Sequence, residues 1–192
     1  MGLRERKKLR SRQLIMSAAV EQFDRRGYSE TSIADIMNAA GLGVGTFYNY
    51  FASKEDLLFA LFERIEGELI ELAEREKHSP LAALKVINDR TAALLDENKF
   101  VLPLFLSASE HSDRPDLWKK RTRPKFKPVF EAIIERGQSD GHIRADVSSA
   151  LIAELFHSIY HSAALSIMPI PFQTNVKLKV QLLLDGIKSN RS

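Results

Sequence analysis

Glu154, His157 and His161 are the residues of this chain whose types and spacing come nearest to a metal site. They read E-x-x-H-x-x-x-H, and on a helix all three share one face. Histidines at i and i+4 can share a zinc ion, and Glu-x-x-His contributes to di-iron bundles. That chemistry needs more than the chain supplies. A di-iron centre uses a second Glu-x-x-His, which is absent, as is the His-Glu-x-x-His of zinc proteases. There is no Gly-rich phosphate loop and no Gly-x-Ser-x-Gly elbow. The two histidines are therefore taken as packing or pocket residues. No catalytic residue, metal ligand or cofactor is assigned, and the chain is not expected to be an enzyme.

A second set of polar groups lies in Ser32 to Phe51, SIADIMNAAGLGVGTFYNYF. Ile33, Ile36, Met37 and Ala40 fall at i, i+3, i+4 and i+7, a one-sided helical stripe. Ser32 and Asp35 form a capping-box-like start. Gly41-Leu42-Gly43 breaks the period and permits the positive φ of a tight turn. A second short helix is predicted from about Val44 to Phe51, with Phe47 and Phe51 facing inward. Val44, Thr46, Tyr48, Asn49 and Tyr50 are left on its rim. A short helix with a small, hydroxyl-rich and aromatic face suits a groove rather than a core, and a helix-turn-helix places its second helix in the major groove of duplex DNA.

The stretch GLGVGTFYNYFASKEDLL resembles the recognition helix and following helix of the TetR family of transcriptional regulators, and TSIADIMNAAG resembles that family's preceding helix. The resemblance covers Gln13 to Leu69 and rests on four pieces in order: the Phe23-to-Tyr28 helix end, TSIADI, GTFYNYF and SKEDL. It implies a repressor acting in the cytoplasm. A homodimer would bind a palindromic operator in double-stranded DNA, and a small, largely apolar effector would release it. Thr31, Ser32 and Lys54 stand where the family contacts phosphate, and helix N-termini favour anions. The chain departs from the commoner pattern at Ala34 and at Gly43-Val44, where polar residues are frequent. No Arg, Lys or Gln projects from the recognition helix, so bidentate contacts from such side chains are missing. Base reading falls to Val44, Thr46, Tyr48 and Asn49 and to close backbone approach at Gly43 and Gly45, while the hydroxyls of Tyr48 and Tyr50 are placed to reach the DNA backbone.

The charge distribution agrees with a DNA-binding N-terminus. Residues 1–54 hold nine Lys/Arg against five Asp/Glu, whereas the whole chain of 192 residues has a net charge of only +3. Arg4 to Arg12 is a basic segment opposed only by Glu5, expected to be a solvated terminus or an arm on the phosphates. Helices are expected over Ser11–Arg26, with Ile15, Ala18, Ala19 and Phe23 inward, and over Lys54–Lys77, a span of roughly 36 Å. Cysteine is absent, which excludes disulfides and thiolate metal sites. No export signal is expected, and no run reaches the roughly 18 apolar residues of a membrane helix.

The second half is predicted helical throughout. Expected helices begin at Ser79-Pro80, run from Phe100 to His111, from Asp116 to Gly137 with a break at Pro124 or Pro128, from Ser148 to Met168, and from Asn175 to Lys188. A loop is expected at Ser112–Pro115 and a turn over Gly137–Asp146. No run alternates as a strand would. The fold class is therefore all-α: a three-helix DNA-binding domain over residues 1–69, and an effector-binding and dimerisation bundle over residues 70–192, joined by the long fourth helix. Phe100, Leu104, Phe105, Trp118, Phe130, Phe156, His157 and Tyr160 are candidate effector-pocket residues. The last two helices carry more apolar surface than one core needs and are expected to form the dimer interface.

Overall fold

Leu, Arg and Lys favour helix, and Glu5 sits where an N-terminal dipole wants an anion. These preferences prevail over the repulsion among the basic side chains near the N-terminus. Helix α1 runs Leu3–Arg26, closed at its start by the Gly2 amide donating to Glu5 Oε2 at 3.0 Å. The basic segment thus forms the exposed first turns of a helix that begins before the expected Ser11. This computed structural model describes residues 2–76, 79–107 and 126–189, without the side chains of Leu104, Ser107 and Phe126. Gly27, at φ 81°, stops α1 in a conformation that a Cβ disfavours.

Helix α2 is Ile33–Ala39. Gly41 turns the chain with φ 67°; Gly43 has φ −68°, so only the first of the two turn glycines uses the left-handed region. Val44–Asn49 is a 3₁₀ helix rather than the expected α-helix. The segment is short and carries Gly45 with β-branched Val44 and Thr46, all poor α-formers, so i→i+3 bonds prevail. Thr46 N donates to Gly43 O at 2.8 Å and Tyr50 N to Phe47 O at 2.9 Å. Helix α3, Lys54–Arg75, is capped by Ser53, whose Oγ accepts from Asp56 N at 3.0 Å.

Helix α4, Pro80–Glu97, has Pro80 first and Ser79 Oγ accepting from Ala82 N, as the sequence predicts. A 3₁₀ turn, Lys99–Val101, leads into α5, Leu102–Ser107. Helices α6 (Phe126–Ser139), α7 (Ser149–Ala164) and α8 (Phe172–Ile187) complete the described chain. Pro128 lies in the first described turn of α6, where proline is tolerated, and makes no break. Pro124, the loop at Ser112–Pro115 and the end of the helix expected to reach His111 lie outside the described residues. Gly137 belongs to α6, and the turn after it uses Gly141 at φ 74°. Helix α7 ends at Ala164, short of Met168, which as the residue before Pro169 is itself disfavoured in helical geometry, and α8 starts at Phe172, before Asn175, with Pro171 as its N-cap. No strand is present among the described residues, only one antiparallel bridge between Ile143 and Lys188.

The chain divides into two compact units: Met1–Glu63 with Asn98–Leu104, and Arg64–Glu97 with Phe105–Ser192. In the first, Ile15, Ala19, Phe23, Ile36, Met37, Phe47, Phe51, Leu57 and Leu61 form one core. In the second, α4 packs on α6 and α8, and α7 packs on α6 and α8.

Candidate nucleic-acid interface

Phe47 is fully buried and Phe51 nearly so, their ring centroids 5.6 Å apart. These two anchors set which way the 3₁₀ segment faces. Tyr48 is 62% exposed, with its ring edge-on to Phe47, and Val44 and Asn49 are exposed beside it. Thr46 and Tyr50 are half-buried, and Tyr50 packs against the core. At Gly45 an added Cβ would meet nothing within 4 Å, and at Gly43 only Thr46 Oγ1 at 3.9 Å. Packing within the chain therefore does not require glycine at either position, which leaves the bare backbone free for an outside partner. Arg12 lies over the Phe51 ring, 5.2 Å from its centroid, and ties the basic end of α1 to this segment. Sequence reading did not single out Arg12, since a cation–π contact between elements leaves no local spacing signal.

The start of α2 is built by reciprocal capping. Asp35 N donates to Ser32 Oγ at 3.1 Å and Ser32 N to Asp35 Oδ2 at 2.9 Å. Arg26 reaches Asp35 Oδ1 at 2.9 Å from the end of α1. The hydrogen bonds from Ser32, then the Arg26 charge, hold the Asp35 carboxyl down at about 2, against an ordinary 3.8. A depressed carboxylate stabilises the fold above its unfolded pKa, and that contribution is lost as pH falls through the folded value. Asp35→Ala is therefore expected to lower the melting temperature at pH 7, with the difference from the parent shrinking between pH 4 and about pH 2. A constant difference across that range would show that the cap is not what Asp35 supplies.

Two expected phosphate ligands are placed differently. Thr31 is 1% exposed, and its hydroxyl hydrogen is directed at Gly27 O (2.8 Å) and Gln22 O (3.2 Å), so its side chain is not on the surface. Lys54 Nζ donates to three backbone carbonyls, Tyr28 O at 2.7 Å, Thr31 O at 2.8 Å and Ser29 O at 3.3 Å. It also lies 4.4 Å from the centroid of the Tyr28 ring. No sequence signal announces this cluster, because its acceptors are main-chain atoms more than twenty residues away.

In the second unit, α5, α6 and α7 bring Phe105, Phe130, Phe156 and Tyr160 together, all buried. Phe130 stacks on Phe156 at 5.5 Å, and Phe105 lies 5.1 Å from Tyr160 and 5.3 Å from His157. Phe100 falls elsewhere: it packs on Phe23 at 5.2 Å in the first unit and belongs to that unit's core. Trp118 and the side chain of Leu104 lie outside what the structure describes. His157 and His161 are in ring contact at 5.4 Å, with His161 Nε2 3.0 Å from Leu106 O. Among the described residues His157 Nε2 is buried without a hydrogen-bond partner, and burial, then His161 and Lys127, push the ring down to about 4. Glu154 is exposed, and no group of three His, Asp or Glu among the described residues is arranged to hold a metal ion. Sequence reading missed Asn88, whose Oδ1 accepts from Tyr160 Oη at 2.7 Å in full burial. The available signal was a polar residue on the inward stripe of α4, beside Leu84 and Thr91.

Residues 15–61 match the family described as bacterial regulatory proteins, tetR family. The fatty acid metabolism regulator protein of Bacillus subtilis (strain 168) is 36% identical over 147 residues, covering 73% of this chain and 75% of that one. The chain belongs to the TetR family. As a TetR-family protein it is a DNA-binding transcriptional regulator, and its exposed 3₁₀ segment lies within the matched residues. Solved structures share the TetR-family fold of both units. The fatty acid degradation regulator FadR from Bacillus halodurans superposes with a TM-score of 0.71 at 20% identity, covering 94% of this chain and 97% of that one. FadR from Bacillus subtilis, solved in complex with stearoyl-CoA, superposes at 0.67 with 22% identity, covering 91% and 98%. Among the described residues no helix is long and apolar enough to cross a membrane.

Proposed function

We propose that this chain is a cytoplasmic repressor, without enzymatic activity, that binds a palindromic operator as a homodimer and releases it on binding a small apolar effector. The observation that carries the DNA reading is the division of the 3₁₀ segment: Phe47 is locked in the core, and the next residue, Tyr48, stands out into solvent. Val44, Thr46, Tyr48 and Asn49 meet base edges, with Val44 placed for thymine methyl groups and Asn49 for adenine. Gly43 and Gly45 allow the backbone close to the duplex. Ser32 and the hydroxyl of Tyr50 approach phosphate, and the exposed basic turns of α1 add sequence-independent attraction.

The dimer reading rests on apolar residues left exposed on one face of α7 and α8. Leu151 and Leu155 on α7 and Leu165 just past its end are exposed, spaced along one face with the small Ser158 and Ser162 between them, and Leu178 and Leu182 stand on α8, the latter 74% exposed. A stripe of this size is covered most economically by its own symmetry mate. For the effector, the buried rings of Phe105, Phe130 and Phe156 suit an aliphatic chain, and a fatty acyl thioester is the class that the relatives point to.

Selection of duplexes from a random-sequence pool tests the whole reading. A palindrome with half-sites about one or more duplex turns apart, roughly 34 Å or a multiple, is the expected product. Stearoyl-CoA, but not free coenzyme A, is expected to dissociate the complex. Enrichment of no sequence would overturn the regulator reading, whereas a palindrome insensitive to acyl thioesters would overturn only the effector class.

A further inference from the structure

We propose that Lys54 is a positioning residue of the DNA-binding unit: its ammonium holds the turn between α1 and α2 against the start of α3, and it does not ligate phosphate. The proposal rests on the DNA-binding reading above. Residues 28–31 are the whole link between Gly27, where α1 stops, and Ser32, which caps α2. Three of the four carbonyls of that link converge on one nitrogen, at 2.7, 2.8 and 3.3 Å. A lysine ammonium has three donors, and all three are matched. The Tyr28 ring at 4.4 Å covers the same charge. A phosphate could be engaged only by giving up one of these bonds.

The consequence for DNA binding follows from what the turn carries. Thr31 O lies one residue before the cap of α2, and Thr31 Oγ1 bonds back to Gly27 O and Gln22 O, so the link is tied to α1 through its hydroxyl and to α3 through Lys54. Helix α2 in turn packs on the 3₁₀ recognition segment. Without the ammonium, the three carbonyls would turn to water for their donors, and nothing would draw them to one point. The link would open, and the start of α2 and the segment resting on it would lose their fixed place relative to α3. Non-specific attraction to phosphate needs charge, which many basic residues supply; base reading needs register, which this clamp supplies.

Lys54→Met in the full chain separates the possibilities, using the duplex selected by the parent protein and a random-sequence duplex of equal length. The expected result is about a tenfold loss on the selected duplex, the scale of one base contact, with affinity for the random duplex unchanged. The slope of log K against log salt is expected to stay the same on both. A phosphate ligand would instead weaken both duplexes alike and reduce the slope by about 0.9 per protomer, overturning the proposal. A lowered melting temperature with the ratio of the two affinities intact would also overturn it, since Lys54 would then only stabilise. Should Lys54→Met fail to fold, Lys54→Gln, which keeps two donors, is read in the same way. The ammonium signal of Lys54 in the ¹⁵N-labelled parent gives an arm independent of folding. It is expected to exchange slowly and to stay in place on addition of the selected duplex; a large shift on binding would overturn the proposal. If no duplex is selected at all, the DNA-binding reading itself has failed.

Discussion

Phe47→Ala is expected to unfold the DNA-binding unit, whereas Tyr48→Ala, one residue on, is expected to leave it folded and unable to bind its operator. Phe47 is fully buried against the Phe51 ring and the cores of α1 and α2, and truncating such a side chain costs about 3–5 kcal/mol. That is a large part of the roughly 5–15 kcal/mol available to a whole domain. Tyr48 is 62% exposed, with Phe47 its ring neighbour among the described residues. Its removal is expected to shift stability by no more than about 1 kcal/mol. Thermal unfolding followed by circular dichroism, with binding measured well below the transition, separates the two effects. Tyr48→Ala that unfolds, or Phe47→Ala that melts like the parent, would mean that the segment faces the other way.

The double substitution Leu178→Glu, Leu182→Glu is expected to convert a dimer into a folded monomer and to abolish tight operator binding. The two leucines lie one turn apart on α8 and are 53% and 74% exposed, so the bundle itself loses little. Placing four carboxylates across a twofold contact adds like-charge repulsion to the loss of apolar burial. Two half-sites held together bind about 10²–10⁴-fold more tightly than one, and that advantage disappears with the interface. Light scattering at micromolar concentration and titration with the selected palindrome report the two parts separately. A parent chain that runs as a 21.7 kDa species yet binds the palindrome tightly would remove the basis of the proposal.

Much of the DNA-binding unit was legible in the chain because its signals are local. The capping pair Ser32 and Asp35, the stop at Gly27 and the inward pair Phe47 and Phe51 each sit within a few residues of one another, and the structure places them as their spacing predicts. The 3₁₀ form of the recognition segment was less visible. Its apolar pair at i and i+4 satisfies an α-helical template, whereas the choice of hydrogen bonds is made by Gly45 and two β-branched residues. Long-range contacts left no trace in the spacing. Lys54 looked like a surface cation because its acceptors are carbonyls of residues 28, 29 and 31. Phe100 looked like a bundle residue because it follows α4, but the chain returns there to the first unit. The stripes of α7 and α8 were legible as excess apolar surface, although periodicity does not say which stripe would be left uncovered.

The buried contact between Tyr160 and Asn88 bears on how the second unit folds. Asn88 Nδ2 donates to Leu84 O at 2.7 Å while its Oδ1 accepts from Tyr160, and Thr91 Oγ1 returns to Ile87 O at 2.8 Å. Apolar side chains alone would let α7 slip along α4 by a turn at modest cost, since one leucine fills another's place. A slip here strands the amide and the phenol in a dry interior, at about 1–3 kcal/mol for each unpaired group. The helices therefore have one alignment in which every polar atom of this contact is answered, and misaligned collapsed chains lack it. The pair thus acts as a key: it favours this one alignment by the cost of leaving an amide and a phenol unpaired in any other.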